Sequence, residues 1–277
     1  MKIFINKSII SISLLLIVSN AFSQQYVVDT TFCPDYDFHG VYDQFLINSI
    51  IEMEDGSVVV AGDFGYIFEM TQPLNVVKLL YDGSMDFSFF YEPIYINKME
   101  YINYLFYHTN SAFVMRVNSF GEVDWDHWNM QNSSWGGTPT DYFVKNDSSI
   151  LFSGLIISHF PSYPERDFGR LLPNGFIDTT FDHNTNDVIW EIEEYDENRL
   201  LLTGRFTEYD SYPINKICRI YKDCTIDTTF HSILTTGPLN GGSSKPLYIQ
   251  EDGKIILGGF FKIPGQTEYM YLMRLNT

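Results

Sequence analysis

The sequence predicts an all-β fold made of repeated sheets, and three observations support this prediction. First, one phrase returns five times: an apolar strand, a two-residue turn, and a short segment with an aspartate followed by aromatics or threonines. Second, a tight-turn signal followed by a short apolar run recurs in phase with it. Third, aromatic residues make up 17% of the chain, which suits strands, and no stretch of the mature chain keeps a helical period.

The first phrase has four continuous copies and one divided copy. The continuous copies are KLLYDGSMDFSF (78–89), RVNSFGEVDWDHW (116–128), RLLPNGFIDTTF (170–181) and RIYKDCTIDTTF (219–230). In the divided copy, MRLNT (273–277) supplies the strand and VDTTF (28–32) supplies the aspartate segment. A ring of sheets closes on itself through such a divided repeat, so we expect residues 28–32 to pair as an outer strand beside residues 270–276.

The repeated aspartates predict the size of each unit. They are Asp29, Asp86, Asp124, Asp178 and Asp227, at intervals of 57, 38, 54 and 49 residues. Periods of about 40–50 residues are typical of propeller blades, each a four-stranded antiparallel meander. We therefore predict a β-propeller of five four-stranded blades, with the N-terminal strand closing the last blade. Chance recurrence of turn residues in an all-β chain is the alternative, and the second phrase argues against it.

The second phrase predicts the middle strands of the blades. It reads EDGSVVVAGDF (54–64), DSSILFSG (147–154), ENRLLLTGRF (197–206) and EDGKIILGGFF (251–261). Its turn residues favour tight hairpins, because Gly accepts a positive φ. Its apolar runs do not alternate with polar residues, which indicates strands buried on both faces. Residues 90–124 lack this phrase, so they are either a blade without long loops or an insertion that would leave four blades.

The two phrases together carry a resemblance to a known family. DGKIILGGFF (252–261), paired with the RL…NGxIDTTF pattern of residues 170–181, resembles the delta-60 repeats of secreted bacterial proteins, often from the Bacteroidetes. The resemblance covers about residues 27–277, and Cys224 departs from it by replacing the turn Gly. It implies a β-propeller fold and export, and it carries no catalytic or ligand residues to positions of this chain.

Residues 1–23 have the features of a signal peptide. They combine a basic start (Lys2, Lys7), an apolar core over Ile9–Val18 and a small-x-small cleavage site. A membrane anchor is the alternative, but the core is shorter than the roughly 20 residues that a span requires. We therefore expect residues 24–277 to be a single propeller domain, secreted or periplasmic, monomeric and without a membrane span.

The chain is strongly acidic, with a net charge of −18 from 17 basic and 35 acidic residues. Such a surface repels nucleic acid phosphates and anionic membranes, so we expect no nucleic acid partner. Solubility is the simplest reason for the charge, and attraction of cations or basic partners is the alternative. The three cysteines, Cys33, Cys218 and Cys224, leave at least one thiol unpaired. Cys218 and Cys224 lie on one hairpin at positions that do not face each other.

No catalytic motif stands out, and we predict no catalytic residue, metal ion or cofactor. The six histidines are scattered singly, and neither a Gly-x-Ser-x-Gly elbow nor a His-Glu-x-x-His motif is present. Residues 182–187 alternate oxygen ligands like half of a calcium loop but lack its Gly and closing Glu. We expect a non-enzymatic binding or scaffolding module. The alternative is a propeller enzyme acting on glycans, a hydrolase or lyase with paired carboxylates at the channel mouth.

The long connections predict where a ligand would bind. In a meander the short turns share one face and the long connections share the other, and long loops on a rigid scaffold usually carry binding sites. Here the long connections are residues 33–45, 127–141, 158–167, 207–213 and 232–244. Aromatic and acidic side chains there suit an extracellular glycan or peptide. The candidate ligand-binding residues are Tyr36, Asp37, His39, Trp128, Trp135, Tyr163, Tyr209 and Tyr212. We expect the repeated aspartates to be structural instead, each accepting hydrogen bonds from the backbone N–H groups that follow it.

Overall fold

The structure, a computed structural model, describes most of the strands of this chain. The described residues are 38–39, 46–63, 66–67, 75–89, 96, 98–109, 114–124, 135–158, 166–232, 234, 247–262, 265, 267–268 and 270–276. They form strands and turns and contain no helix. None of them therefore contributes a helix that could span a lipid bilayer. The all-β prediction is confirmed for this part of the chain.

Five of the sheets have three antiparallel strands each, and the second strand of each lies in the middle. They are sheet 1 (β2 Leu46–Glu52, β3 Val58–Asp63, β5 Val76–Leu79), sheet 2 (β6 Lys98–Ile102, β7 Leu105–Thr109, β8 Val114–Val117), sheet 3 (β9 Trp135–Val144, β10 Ile150–Ser158, β11 Arg166–Leu171), sheet 4 (β12 Ile189–Asp196, β13 Arg199–Gly204, β16 Ile217–Tyr221) and sheet 5 (β17 Leu247–Ile249, β18 Ile255–Phe261, β19 Met270–Leu275). Two short pairs accompany them, β1 (Phe38–His39) with β4 (Tyr66–Ile67) and β14 (Glu208–Tyr209) with β15 (Tyr212–Pro213).

The middle strands are buried on both faces, as their apolar runs predict. Leu200, Leu201 and Leu202 of β13 are all fully buried. Leu200 and Leu202 pack in one cluster with Leu151 of sheet 3. Leu201 points the other way and packs in a second cluster with Ile255 of sheet 5. Successive side chains of a strand alternate between faces, so sheet 4 is stacked between sheets 3 and 5.

Sheet 2 lies within residues 90–124, the part of the chain that lacks the second phrase. Its residue Phe106 packs in one cluster with Val59 of sheet 1. Tyr107, which follows on the opposite face, packs in another cluster with Tyr142 of sheet 3. Residues 98–117 therefore form a three-stranded sheet stacked between its neighbours, like the others.

The repeated turn folds the chain back onto the third strand of sheets 1 to 4. One bridge pair closes each of these turns: Leu79 with Met85, Val117 with Val123, Leu171 with Ile177, and Ile220 with Ile226. In sheet 3 the turn residue Gly175 has a φ of 82°, the left-handed region that favours glycine. In sheet 4 the equivalent Cys224 has a φ of 73°. Full burial of Cys224 among apolar side chains stabilises this strained residue.

Two of the predicted long loops are wrong in their extent. Residues 127–141 read as a loop, but β9 already begins at Trp135 and pairs with β10 along its whole length. Residues 207–213 also read as a loop, but they form the small hairpin of β14 and β15, in which Tyr209 pairs with Tyr212. The strands β14 and β15 have only two residues each, too few for a period to show in the sequence. The predicted pairing of residues 28–32 lies outside the described residues.

Candidate functional site

The first strands of sheets 1 to 4 wall a cavity of about 570 Å³. The cavity lies next to the short turns, because its lining includes Ile102 and Val144, the last residues of β6 and β9, and Asn146 in the turn that follows. The side chains along its wall are apolar, aromatic and charged. They include Ile50, Met99, Phe143 and Ile192 together with Lys98, Glu100, Tyr101, Glu193 and Glu194.

Lys98 is the buried cation of this cavity, and it connects neighbouring sheets. Its Nζ lies 2.7 Å from Asp141 Oδ1 and 3.3 Å from Glu100 Oε1, and it donates to the carbonyl oxygen of Tyr142 at 3.0 Å. The other oxygen of Asp141 accepts a hydrogen bond from the backbone N–H of Ile192 at 2.8 Å. Burial alone would lower the pKa of Lys98, but the charges of Asp141 and Glu100 outweigh it and raise the pKa. Lys98 and Asp141 thus fix the first strands of sheets 2, 3 and 4 to one another.

Other polar side chains of the first strands repeat this arrangement. Asn48 donates to the carbonyl oxygen of Ile96 at 2.7 Å, and Ser49 Oγ accepts from the N–H of Met99 at 2.9 Å. Thr140 donates to the carbonyl oxygen of Ile189 at 2.6 Å. In each case a side chain of one sheet satisfies a backbone group of the next, as buried polar groups require.

Sequence reasoning missed this belt of polar residues, although a signal for it exists. Ser49, Lys98, Asp141 and Glu191 occupy the same register position, opposite Ala61, Thr109, Ser153 and Thr203 of the middle strands. Aligning the first strands of sheets 1, 3 and 4 through the glycine of the second phrase would have placed Ser49, Asp141 and Glu191 in one row. Sheet 2 has no such glycine, so its Lys98 would not have been found in this way.

The remaining wall of the cavity is acidic and aromatic. Glu194 forms an ion pair with Lys222, and the Lys222 ammonium lies 5.6 Å from the centre of the Phe143 ring. Tyr142 is fully buried and donates to the carbonyl oxygen of Tyr107 at 2.7 Å, and burial raises its pKa. Carboxylates beside aromatic rings can hold a polar or cationic group by hydrogen bonds and by contact with the ring face.

None of the predicted ligand-binding residues that the structure describes, His39, Trp135, Tyr209 and Tyr212, lines this cavity. Tyr36, Asp37, Trp128 and Tyr163 lie outside the described residues, while His39 lies in β1 and Trp135 begins β9.

Tyr209 is fully buried, and its hydroxyl donates to the carbonyl oxygen of Cys224 at 2.7 Å. Tyr212 packs against the same core cluster. The position of Tyr209 in the core corrects its assignment to a ligand-facing loop, because no ligand can reach a fully buried ring.

Three of the repeated aspartates, Asp86, Asp178 and Asp227, have two kinds of partner, and Asp124 shares the second kind. One carboxylate oxygen accepts from the backbone N–H two residues ahead, at 3.0 Å for Asp86, 2.9 Å for Asp178 and 3.0 Å for Asp227. The carboxylate also pairs with a basic side chain eight residues earlier in the chain. These pairs are Lys78 with Asp86 at 3.1 Å, Arg116 with Asp124 at 2.9 Å, Arg170 with Asp178 at 2.7 Å, and Arg219 with Asp227 at 2.7 Å. Sequence reasoning missed the basic partner, although the constant spacing of eight residues was visible.

Side chains of residues 182–187 contact other residues of the protein through hydrogen bonds and ion pairs. Asp182 pairs with Arg166 at 3.2 Å, and Asn186 Oδ1 accepts from the backbone N–H of Thr207 at 2.8 Å. His183 Nδ1 lies 2.6 Å from Asp210 Oδ2. Within the described ranges no group of three or more His, Cys, Asp or Glu side chains could hold a metal ion.

The cysteines of sheet 4 are free thiols. Cys218 and Cys224 are both buried and are not joined by a disulfide, in agreement with the doubt that the hairpin register raised. Burial raises the pKa of Cys224 to about 12 and also raises that of Cys218, so both side chains stay protonated at neutral pH. Cys33 lies outside the described residues.

Comparison with known proteins gives one family match and several distant structures. Residues 250–277 match the family model described as a domain of unknown function (DUF5122) beta-propeller. This match covers the turn, β18 and β19 of sheet 5, the segment on which the resemblance to secreted propeller repeats rests. No curated protein matches the chain at a significant level.

The similar solved structures share little sequence with this chain. The extracellular domain of a one-component-system protein from B. thetaiotaomicron has 10% identity and a TM-score of 0.42, over 85% of this chain and 34% of that one. A gluconolactonase from Xanthomonas campestris has 14% identity and a TM-score of 0.42, over 75% of this chain and 68% of that one. The WD40 domain of Neurospora crassa Pan2 has 9% identity and a TM-score of 0.33, over 85% and 84%. The chain thus spans about a third of the length of the first structure.

Proposed function

We propose that the chain is an exported β-propeller of five blades that serves as a non-enzymatic binding or scaffolding module. The cavity between the first strands carries this proposal. Lys98 in its lining and Asp141 beside it are fixed in bonds between sheets, while aromatic and acidic side chains line the wall. A preformed pocket with a few convergent polar groups is the usual form of a ligand site.

The five three-stranded sheets would be the five blades, and residues 28–32 would complete sheet 5. Two exposed side chains of sheet 5 support closure. Tyr248 and Leu272 are 63% and 68% exposed, and they share a face with Arg274, which faces away from sheet 4. Ile50, on the face of sheet 1 that points away from sheet 2, is 66% exposed. Docking these two faces would bury apolar surface that the other sheets already bury.

Export rests on the signal-peptide features of residues 1–23, and the propeller would then be residues 24–277. The match of residues 250–277 to a β-propeller family agrees with the fold in this proposal. The binding role is favoured over glycan chemistry because two cavity carboxylates are engaged in ion pairs, Glu100 with Lys98 at 3.3 Å and Glu194 with Lys222. A carboxylate that already pairs with an ammonium group of the protein is less available to act on a substrate bond.

The test is a glycan and peptide array probed with the mature protein, residues 24–277. We expect at least one hit whose binding falls in the Glu193→Gln variant, because Glu193 lines the cavity. The matched control is Glu251→Gln, in the exposed turn of sheet 5. Each hit is then incubated with the protein and examined for chemical change. Cleavage of a glycan hit would favour the enzyme alternative, and an array without hits would contradict the binding role.

A further inference from the structure

Exposed aromatic rings mark the short-turn face where sheets 1 and 2 meet. Tyr81, directly after β5, is 76% exposed, and Tyr104, between β6 and β7, is 70% exposed. Other aromatic side chains, such as Tyr271, are about as exposed, but Tyr81 and Tyr104 lie on neighbouring turns and so concentrate apolar surface in one place. Concentrated exposed apolar surface marks interaction sites. Neither ring lies on the long-loop face that the sequence pointed to.

The backbone at Tyr104 shows that the turn itself does not favour this ring. Ile102 pairs with Leu105, so Asn103 and Tyr104 form a two-residue hairpin turn. Their φ values are 51° and 65°, both in the left-handed region. Hairpin turns of this form favour Asn-Gly, and a bulky residue at the second position is strained. A tyrosine that is both strained and exposed contributes little to folding, and strain of this kind is concentrated at functional positions.

The two rings belong to one patch, which also contains carboxylates. The Tyr104 ring meets the edge of the Tyr101 ring at 6.5 Å, and Tyr101 lines the cavity described above. Burial raises the pKa of Tyr101, and the nearby negative charge of Glu54 raises it further. A side-chain carbon placed on Gly56 would lie 3.9 Å from Tyr81, which locates Tyr81 beside the turn that carries Glu54.

We name Glu54, Asp55, Tyr81, Tyr101 and Tyr104 the turn patch. The cation next to it, Lys78, is already paired with Asp86 at 3.1 Å and lies 3.8 Å from Asp55. The positive charge of Lys78 is therefore neutralised by carboxylates of the protein itself. The whole chain carries a net charge of −18, so its field attracts cations toward such a surface.

We propose that the turn patch binds a segment of a partner protein that carries Lys and Arg side chains. The inference rests on the binding role proposed above and names the chemical class of the partner. An ammonium or guanidinium group over a tyrosine face gains from the ring quadrupole, and a carboxylate beside the ring adds a charge-assisted hydrogen bond. Continuity with the cavity through Tyr101 allows one basic side chain to enter it toward Glu193.

The test is fluorescence anisotropy with residues 24–277 and a labelled peptide composed of Arg, Lys, Gly and Ser. The control peptide has Glu at every position where the first has Arg or Lys. We expect the basic peptide alone to bind, and more weakly as salt rises. Tyr104→Gly keeps the charge of the protein and relieves the turn, so binding should weaken by about tenfold while the melting temperature stays the same or rises. Tyr81→Ser should also weaken binding.

Tyr271→Ser is the matched control, because Tyr271 is 69% exposed on β19, in sheet 5. Unchanged affinity in Tyr104→Gly would mean that the peptide senses only the overall negative charge of the protein. An equal loss in Tyr271→Ser would mean that the peptide contacts exposed aromatic rings in general, and either result would overturn the proposal. If the basic peptide does not bind while the array gives a glycan hit that depends on Glu193, this partner class is wrong and the general binding role stands.

Discussion

The repeated aspartate stabilises the turn that follows the third strand of a sheet, and sheet 3 shows how. In sheet 3, Asp178 accepts a hydrogen bond from the backbone N–H of Thr180 at 2.9 Å and another from Arg170 Nε at 2.7 Å. The Arg170 guanidinium also lies 5.3 Å from the centre of the Phe181 ring. One carboxylate therefore caps the turn and holds the arginine that covers the aromatic residue of the phrase. A poor strand former recurs there because no apolar residue can do both.

Asp178→Ala tests this dual role. Loss of the cap and of a charged hydrogen bond should lower the free energy of unfolding by about 2 kcal/mol. Asp178→Asn keeps one acceptor for the turn and should cost less. Urea denaturation of both variants measures the difference. Binding of any ligand found on the array should be unaffected, and loss of that ligand at unchanged stability would refute the structural role.

Acid sensitivity should arise from Asp227, which two arginines surround. Its carboxylate lies 2.7 Å from Arg219 Nε and 3.4 Å from Arg199 Nη1. Burial raises the pKa of Asp227, but hydrogen bonds from Thr229 and Arg219 outweigh burial and lower it to about 2. A depressed pKa means that Asp227 stabilises the fold above the unfolded pKa of about 4 and loses this contribution as the pH falls toward 2.

The expected contribution of Asp227 is on the order of 2 kcal/mol. The measurement is urea denaturation from pH 6 to pH 2 for the parent and for Asp227→Asn. The variant should be less stable at pH 6, and its stability should change less between pH 4 and pH 2. Parallel curves for the two proteins would show that the acid sensitivity has another source.

At the scale of the elements, the glycine that ends a middle strand allows two backbones to approach. A carbon placed on Gly204 would lie 2.2 Å from the carbonyl oxygen of Val188. β12 is irregular at the same place, since its register with β13 shifts between Ile189 and Glu191. Sheet 1 has the same arrangement, since a carbon placed on Gly62 would lie 2.0 Å from the carbonyl oxygen of Leu46. In both sheets the close contact of the glycine is with the first strand.

Gly204→Ala should destabilise the protein, because the methyl group meets backbone that cannot move without breaking strand pairing. The expected loss is about 2 kcal/mol or more, the range of overpacking in a core. Glu197→Ala, at an exposed position in the turn of the same sheet, is the control and should change stability by less than about 0.5 kcal/mol. Thermal denaturation compares the two, and equal melting temperatures would contradict the close contact.

The elements that depend on local chemistry were predictable, and those that depend on neighbours were not. The run of Leu200 to Leu202 and the turn at Gly175 follow from burial and from φ preference, so the sequence identifies them. The hairpin of β14 and β15 depends on Tyr209 entering the core of sheet 4, which no local pattern records. The ion pair of Lys98 with Asp141 joins residues 43 positions apart, so only the stacking of the sheets makes it visible.

At the scale of the whole molecule, the stacking of the sheets explains why each one has apolar side chains on both faces. A single sheet cannot bury both of its faces, so sheets 2, 3 and 4 each contribute to a core cluster on either side. Sheets 1 and 5 each have one such cluster with a neighbour, and each shows exposed apolar side chains on its other face. Closure of the ring would give these two sheets the same two-sided packing as the rest.

Closure makes a specific prediction about one pair of residues. Arg274 on β19 occupies the position of Arg219 on β16, since Arg274 pairs with Ile256 as Arg219 pairs with Leu201. The aspartate that would complete its ion pair is Asp29, the first residue of the divided DTTF segment. Deletion of residues 24–32 should expose the edge of sheet 5 and lower the melting temperature. A deletion variant that melts like the parent would contradict closure by this segment.

A double-mutant cycle separates the ion pair from general loss of the strand. Asp29→Ala and Arg274→Ala should each cost about 1–2 kcal/mol, and the double variant should cost little more than one of them, because neighbouring partners couple. Asp178→Ala combined with Arg274→Ala is the control, and those two changes should add, because these residues lie in different sheets. Additive losses for Asp29 and Arg274 as well would mean that they do not meet, and the fifth repeat would then lack the pair that stabilises the other four.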